Sequence, residues 1–397
     1  MIVKSSDNSC YIAPQKIIIP QFDFSSLLTD LIIKLDHLRS KLVYGTTPAS
    51  IFFDLKRLFH ILESIQSARI EGNRTTIAEI IETRIEKNIP VEDEDKFREI
   101  ENIEEALRFI DENVNEAPIN RMFISHLHSM VVKDLIREGS HNPGEYRKKA
   151  VKIQKAIHEP PDGVYIPDLM EELFAFINQS DDRKYDLLKI AIAHHRFTWI
   201  HPFDNGNGRI SRLLTYAMLV KLGFNVDQVE RILNPTGLFC VDRQKYYDML
   251  SDADLNGNEG MIRWCIYVLQ GLLTEIEKID KLADYSFLAK QILIPAIDYG
   301  EKVGSVSKEE YLALKQSINA KDGILTANNL KQVFPGYYPV KISRLIKSLK
   351  EKQMLISYPN KNSKSYVISF SQNKLLRYVA RELIEKGFIL SEEKNSL

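Results

Sequence analysis

Apolar residues recur at helical spacing along most of this chain. Ile51, Leu55, Leu58, Leu62 and Ile65 form a stripe for a helix that Gly72 can end. The acidic stretch 91–113 carries Ile103, Ala106, Leu107 and Ile110 on one side, the pattern of a helix with a solvated outer face. Ile190, Ala193 and Phe197 predict a helix over 189–199, and Ile210, Leu213, Leu214, Ala217 and Met218 restart the same period. Residues 1–25 read as irregular because Pro14 and Pro20 discourage a helix, and helical patterns then dominate to about Leu288. Beyond that point the period changes. Helices are predicted over Thr326–Phe334 and Val340–Lys352, separated by a turn at 335–339, and Met354–Tyr358 and Ser365–Phe370 alternate like two strands.

Helix, turn, helix, hairpin is the order of a winged helix. Lys341, Arg344, Lys347, Lys350, Lys352, Lys361 and Lys364 face Glu351 as the acidic residue of this stretch, a local basic excess that makes DNA a candidate partner. Elsewhere the balance is even. The 397 residues carry a net charge of −1, with 44% hydrophobic and 27% charged residues, so no bulk field draws the chain to nucleic acid or membrane. Cys10, Cys240 and Cys265 have neither metal nor redox spacing. The N-terminus lacks the apolar core of a signal peptide and no segment has transmembrane length, so the expected location is the cytoplasm, without a membrane partner.

The densest chemistry lies in residues 201–212, His-Pro-Phe-Asp-Asn-Gly-Asn-Gly-Arg-Ile-Ser-Arg. A histidine ends one helix, a glycine-bearing loop follows, and a second helix begins near Asn207–Gly208 with its unpaired N–H groups facing the loop. Arg209 and Arg212 follow on one face of that helix. A base, an anion cradle and two countercharges thus fall together, which predicts a phosphate site. The glycine-rich nucleotide fingerprints do not fit here.

This stretch resembles the signature of the Fic (fido) family, with one departure: Asn205 stands where the family has a carboxylate. The resemblance implies a mainly α fold, with a Fic-type helical bundle core, a small β-hairpin flap and here a C-terminal winged-helix domain. It implies a protein adenylyltransferase that moves AMP from ATP to a Tyr, Thr or Ser hydroxyl of a target protein. His201 would be the general base. Gly206, Asn207 and Gly208 would present backbone N–H groups and the Asn207 amide to the phosphates, and Arg209 and Arg212 would hold the β- and γ-phosphates. Asn205 would sit at the Mg²⁺ (or Mn²⁺) position as an uncharged oxygen ligand, weakening the metal. Tyr246, Tyr247 and Asp254 would line the adenine pocket.

Further upstream, Ser67, Glu71 and Gly72 resemble the family's inhibitory motif, whose glutamate reaches the second motif arginine, here Arg212, and blocks the γ-phosphate. Val151, Ile153 and Gln154 fall where the family's flap pairs with the target's main chain. The expected organisation is an N-terminal helical region over 1–100 with the inhibitory helix at about 50–72, a catalytic core over 101–280, and the winged-helix-like part over 290–397. Relatives also suggest a homodimer, self-modification and removal of AMP as further properties. Two alternatives stay open: transfer of another group such as UMP, phosphocholine or phosphate, and a DNA-binding regulator whose Fic part is sensory or inactive.

Overall fold

This computed structural model describes residues 2–4, 10–12, 16–40, 46–86, 94–153, 157–224, 233–358 and 364–389. It opens with an antiparallel pair, β1 (Ile2–Lys4) and β2 (Cys10–Ile12), in which Ile2 faces Ile12. The N-terminus expected to be irregular therefore holds a short ladder ahead of both prolines. Strands of three residues are too short to leave a periodic trace in sequence.

Helices follow: α1 (Leu27–Ser40), α2 (Ala49–Ile70), α3 (Ile77–Glu86), α4 (Glu94–Asn113) and α5 (Arg121–Val131). After a long loop come α6 (Ile166–Asn178), α7 (Asp186–Ile200) and α8 (Asn207–Leu219). The short α9 (Thr236–Cys240) precedes α10 (Arg243–Leu255) and α11 (Gly257–Asp280). α7 is buried nearly all round and packs against α6, α8 and α11, its enclosed Lys189, His194 and His195 each finding a polar partner. Among the described residues no helix is long and apolar enough to cross a membrane.

α2 is also enclosed, yet it carries Lys56, His60, Glu63 and Ser67 into the interior, where each needs a partner. Lys56 Nζ lies 2.9 Å and His60 Nε2 3.3 Å from Asp111 Oδ2 on α4, and Tyr216 Oη of α8 donates to Asp111 Oδ1 at 2.8 Å. Both Glu63 oxygens accept from Thr236 N at the start of α9, at 3.0 and 3.2 Å. Burial pushes the Glu63 carboxyl up to about 8. Asp54 Oδ2 accepts from Phe370 N at 2.9 Å, tying α2 to the C-terminal part. α2 is thus fastened to four different parts of the molecule.

The C-terminal part runs α12 (Tyr285–Leu288), α13 (Ile294–Lys302), α14 (Lys308–Asn319), β3 (Leu325–Thr326), α15 (Ala327–Val333) and α16 (Pro339–Glu351). β4 (Leu355–Ser357), β5 (Ser365–Ile368) and α17 (Leu375–Glu385) complete it. The strands form an antiparallel sheet ordered β3-β5-β4. Two helices and a hairpin stand where the periodicity predicts them, while the flanking α14, α17 and β3 were not anticipated. α14 also changes the local charge. Its Glu309 and Glu310 pair with Lys341 at 3.2 Å and Lys352 at 2.7 Å, so part of the basic excess is neutralised across the fold.

The expected hairpin at Val151 and Ile153 carries no strand among the described residues 148–153 and 157–162, and Gln154 lies outside the described residues. Pro160 and Pro161 have no N–H to donate to a ladder. What holds this segment is Arg147 at its base. Its Nε donates to His201 O at 2.7 Å, Nη1 to Lys149 O at 2.8 Å and Nη2 to Pro161 O at 2.6 Å.

Candidate anion site at the start of α8

α7 stops at Ile200 because His201 takes a left-handed conformation (φ 51°, ψ 60°) and Pro202 cannot continue a helix. Phe203 is fully buried and stacks on His128 of α5, with ring centroids 3.8 Å apart. His128 Nδ1 accepts from Gly144 N at 2.8 Å, so Nε2 carries the proton and donates to Asn205 O at 3.1 Å. Burial pushes His128 down to about 4, which keeps this brace neutral. The Asn207 side chain closes the loop by accepting from Phe203 N and donating to Phe203 O, both at 2.9 Å. The amide expected to face phosphate is therefore engaged in bracing the bend, because its two polar atoms match the two of one backbone unit.

Gly206 (φ 77°) turns the chain into α8, a conformation that costs glycine little. The first helical bond runs from Ile210 N to Gly206 O at 3.0 Å. The N–H groups of Asn207, Gly208 and Arg209 precede it and have no acceptor within their own helix. They form the positive end of α8.

His201 sits half-buried at the lip of this bend. Its Nδ1 lies 3.4 Å from Thr198 O, which can only accept, so the proton of the neutral ring sits on Nδ1 and Nε2 is left as the acceptor. Burial pushes the imidazole down to about 4; Arg147 adds to that, and Thr198 and Glu71 oppose it. At neutral pH the ring is a base.

α2 ends beside α8, with Glu71 as its cap and Gly72 at φ 106° turning the chain away. Arg212, 2% exposed, donates from Nε to Ser67 Oγ at 2.9 Å and from Nη2 to Ser67 O at 3.0 Å. The same Nη2 meets Glu71 Oε1 at 2.7 Å. That oxygen also lies over Gly208, where an added Cβ would meet it at 2.2 Å. A carboxylate thus lies against the first turn of α8, held there by Arg212. Burial raises the Glu71 carboxyl, but Arg212, with help from Arg209 and Arg243, outweighs it and holds the group below its usual range.

Arg209, three residues before Arg212, faces elsewhere. It is 1% exposed, with Nη1 3.1 Å from Glu99 Oε1 of α4 and Nη2 3.4 Å from Glu138 Oε2, and Nη2 donates to Glu138 O at 2.9 Å. The guanidinium expected on phosphate is engaged by these carboxylates, because α4 and the loop after α5 close over it. Asp204 accepts from Ser140 Oγ at 2.6 Å and His141 N at 3.2 Å and so points away from the bend. Tyr246 and Tyr247 part company: the first is 2% exposed with its hydroxyl 2.9 Å from His194 Nε2, the second stands at the surface beside Arg243. Successive residues of a helix point about a hundred degrees apart. Asp254 lies further along the same helix, 2.9 Å from His195 Nε2.

Residues 118–219 match the Fic/DOC family profile, spanning α5 to α8. The chain carries a Fic/DOC-family domain. Protein adenylyltransferase Fic of Nematostella vectensis is 27% identical over 252 residues, 59% of this chain and 52% of its own length. Protein adenylyltransferase Fic of Aedes aegypti is 30% identical over 216 residues, covering 51% of this chain and 38% of its own. The chain thus spans about half the length of these relatives or less. A Fic family protein from Desulfovibrio desulfuricans G20 matches with a TM-score of 0.52 at 17% identity, over 88% of this chain and 98% of that one, which shows the shared fold.

The Fic segment brings His201, Asn205, Gly206, Gly208 and Arg212 to one bend, and α2, outside the matched segment, adds Ser67 and Glu71. Sequence reading missed His128, Arg147, Glu99 and Glu138. None of them has a spacing that points at the bend.

Proposed function

We propose that this Fic protein is a protein adenylyltransferase held in an inhibited state by its own α2. One observation carries the reading: the Glu71 carboxylate lies on the N-terminus of α8 and on Arg212, an anion position that a nucleotide phosphate would otherwise take. With Glu71 withdrawn, the α8 N–H groups and Arg212 would receive the phosphate chain of ATP. His201 Nε2 takes the proton from a target Tyr, Thr or Ser hydroxyl, whose oxygen attacks the α-phosphorus. The bond from that phosphorus to the β-bridging oxygen breaks, giving an AMP ester and pyrophosphate. The protein contributes position and charge more than covalent chemistry.

Mg²⁺ or Mn²⁺ supplies countercharge to the phosphates when bound. Among the described residues no group of three or more His, Cys, Asp or Glu side chains is placed to hold a metal. Asn205 Oδ1 accepts from Gly206 N at 2.7 Å and keeps a second lone pair for such a cation.

The test is incubation with α-labelled or γ-labelled ATP, read by mass spectrometry on the chain itself and on added proteins. Glu71→Gly should raise transfer of the α-label at least tenfold, as expected when a competing ion pair is removed. Adding His201→Ala should lower it by about a hundredfold or more. Label from the γ-position alone would mean phosphate transfer, and no label from either would end the reading.

A further inference from the structure

The C-terminal part takes no share in the chemistry proposed for the bend. From α14 to β5 its order is helix, strand, two helices and a hairpin, and the sheet closes as β3-β5-β4, with the last strand between the other two. α15 and α16 are joined by a short turn at 334–338 that holds Gly336. We infer that this unit is a winged helix that binds duplex DNA, with α16 laid in the major groove and the β4–β5 hairpin beside it. This surface shares no residue with the bend at α8 and works independently of nucleotide transfer.

α16 turns one face to the body and the other to solvent. Ile342, Leu345, Ile346 and Leu349 are buried and fix the rotation of the helix. Val340, Ser343, Arg344 and Lys347, spaced i, i+3, i+4 and i+7, are thereby turned outward, and all four are exposed. Lys350 follows on the hairpin side. Its Nζ lies 3.1 Å from Ser357 Oγ on β4 and 5.7 Å from the ring centre of Tyr366 on β5. Lys364, just before β5, is exposed as well.

The charge on this face has one sign except at Glu351, which meets Lys347 at 3.7 Å with both side chains largely in water, a pair too loose to hold either. The acids of α14 are already engaged. Glu309 is taken by Lys341 and the Tyr337 hydroxyl, and the buried Glu310 by Lys352, Ser348 and Ser307 N. Arg344 and Lys364 have no acceptor among the described residues. Cations left unpaired on an exposed helix suit a polyanion. The net charge of −1 confines the attraction to this face, within a Debye length of about 10 Å at 0.1 M salt. Duplex DNA fits the shape, because its major groove admits an α-helix while that of duplex RNA is too narrow to be read. The side chains also suit base edges: Arg344 offers a guanine two donors, Ser343 donates or accepts, and Val340 meets a thymine methyl. A protein partner would call for a wider apolar area, and α16 exposes one large hydrophobic side chain, Val340.

The test uses the full chain and a labelled random-sequence DNA duplex, read by fluorescence anisotropy from low to physiological salt. Binding should weaken steeply as salt rises. Arg344→Ala together with Lys347→Ala should weaken it about tenfold or more and lower the slope of log affinity against log salt by about two. Glu351→Gln should tighten binding severalfold at low salt, a gain that a misfolded variant cannot give. Lys184→Ala, which removes a charge from the loop before α7, should change nothing. No binding at low salt, equal binding by the Arg344→Ala, Lys347→Ala variant, or tighter binding of an RNA duplex overturns the assignment. So does a protein partner held through Arg344 and Lys347 without any binding of DNA. None of these outcomes touches the transfer of AMP, which the labelled-nucleotide experiment decides separately.

Discussion

Arg212 and Arg209 leave the same helix three residues apart, and each meets a carboxylate in a water-poor setting, yet the two pairs differ in kind. Around Arg212 every contact is aligned: Ser67 takes two donors and Glu71 a third at 2.7 Å. The Glu71 carboxyl is accordingly held low. Around Arg209, Glu99 Oε1 stands 3.1 Å from Nη1, but the two atoms are not aligned as donor and acceptor. Burial raises the Glu99 carboxyl, and Arg209 and Asn73 only partly offset it. Proximity of opposite charges is therefore not enough: at Glu99 burial, together with the like charges of Glu138 and Glu71, outweighs Arg209, whereas at Glu71 the aligned Arg212 outweighs burial. The difference separates an aligned latch at Arg212 from a looser cluster at Arg209, whose Nη2 is held by Glu138.

The largest expected effect strikes the anchor behind the latch. Asp111→Ala removes the carboxylate shared by Lys56, His60 and Tyr216, and should cost about 3–5 kcal/mol in urea unfolding, as loss of one member of a buried pair does. It should also raise α-label transfer by loosening α2. Stability within about 0.5 kcal/mol of the parent would mean that α2 is not held through this network.

A smaller change sharpens the contrast at Arg212 itself. Ser67→Ala deletes an acceptor of a charged donor, with an expected loss of about 1–3 kcal/mol. Transfer should rise severalfold, less than with Glu71→Gly; an equal rise would show that Ser67, not Glu71, is the latch.

The subtlest test is titration followed by NMR of carboxyl and imidazole groups. Glu99 should protonate above pH 4.5 and Glu71 below it, while His201 stays neutral down to about pH 4. The signs differ for stability. Glu71 is depressed in the fold, so its contribution is present above its unfolded value and is lost only as pH falls below that. Glu99 is raised, so lowering the pH toward 4.5 relieves it. His201 is also depressed, so its share is lost as pH falls from about 6.5 to 4. A Glu71 carboxyl that titrates with or above Glu99 would erase the comparison.

The chain announced much of this locally. The 201–212 stretch placed its bend between two helices because apolar periodicity stops and restarts around glycines. The stripe from Ile51 to Ile65 located α2, and Ser67 and Glu71, one turn apart, were set on one face by helical geometry alone. These are features of neighbours along the backbone, where 3.6 residues per turn translates order into direction. Tertiary structure decided what comes from afar. Tyr246 and Tyr247 were separated by burial, the Asn207 amide turned inward to Phe203, and Glu309 and Glu310 were carried to Lys341 and Lys352. Glu99, Glu138, His128 and Arg147 reached the bend only through packing. A polar side chain's role is fixed by the partner it meets when water is removed, and that partner can lie anywhere in the sequence.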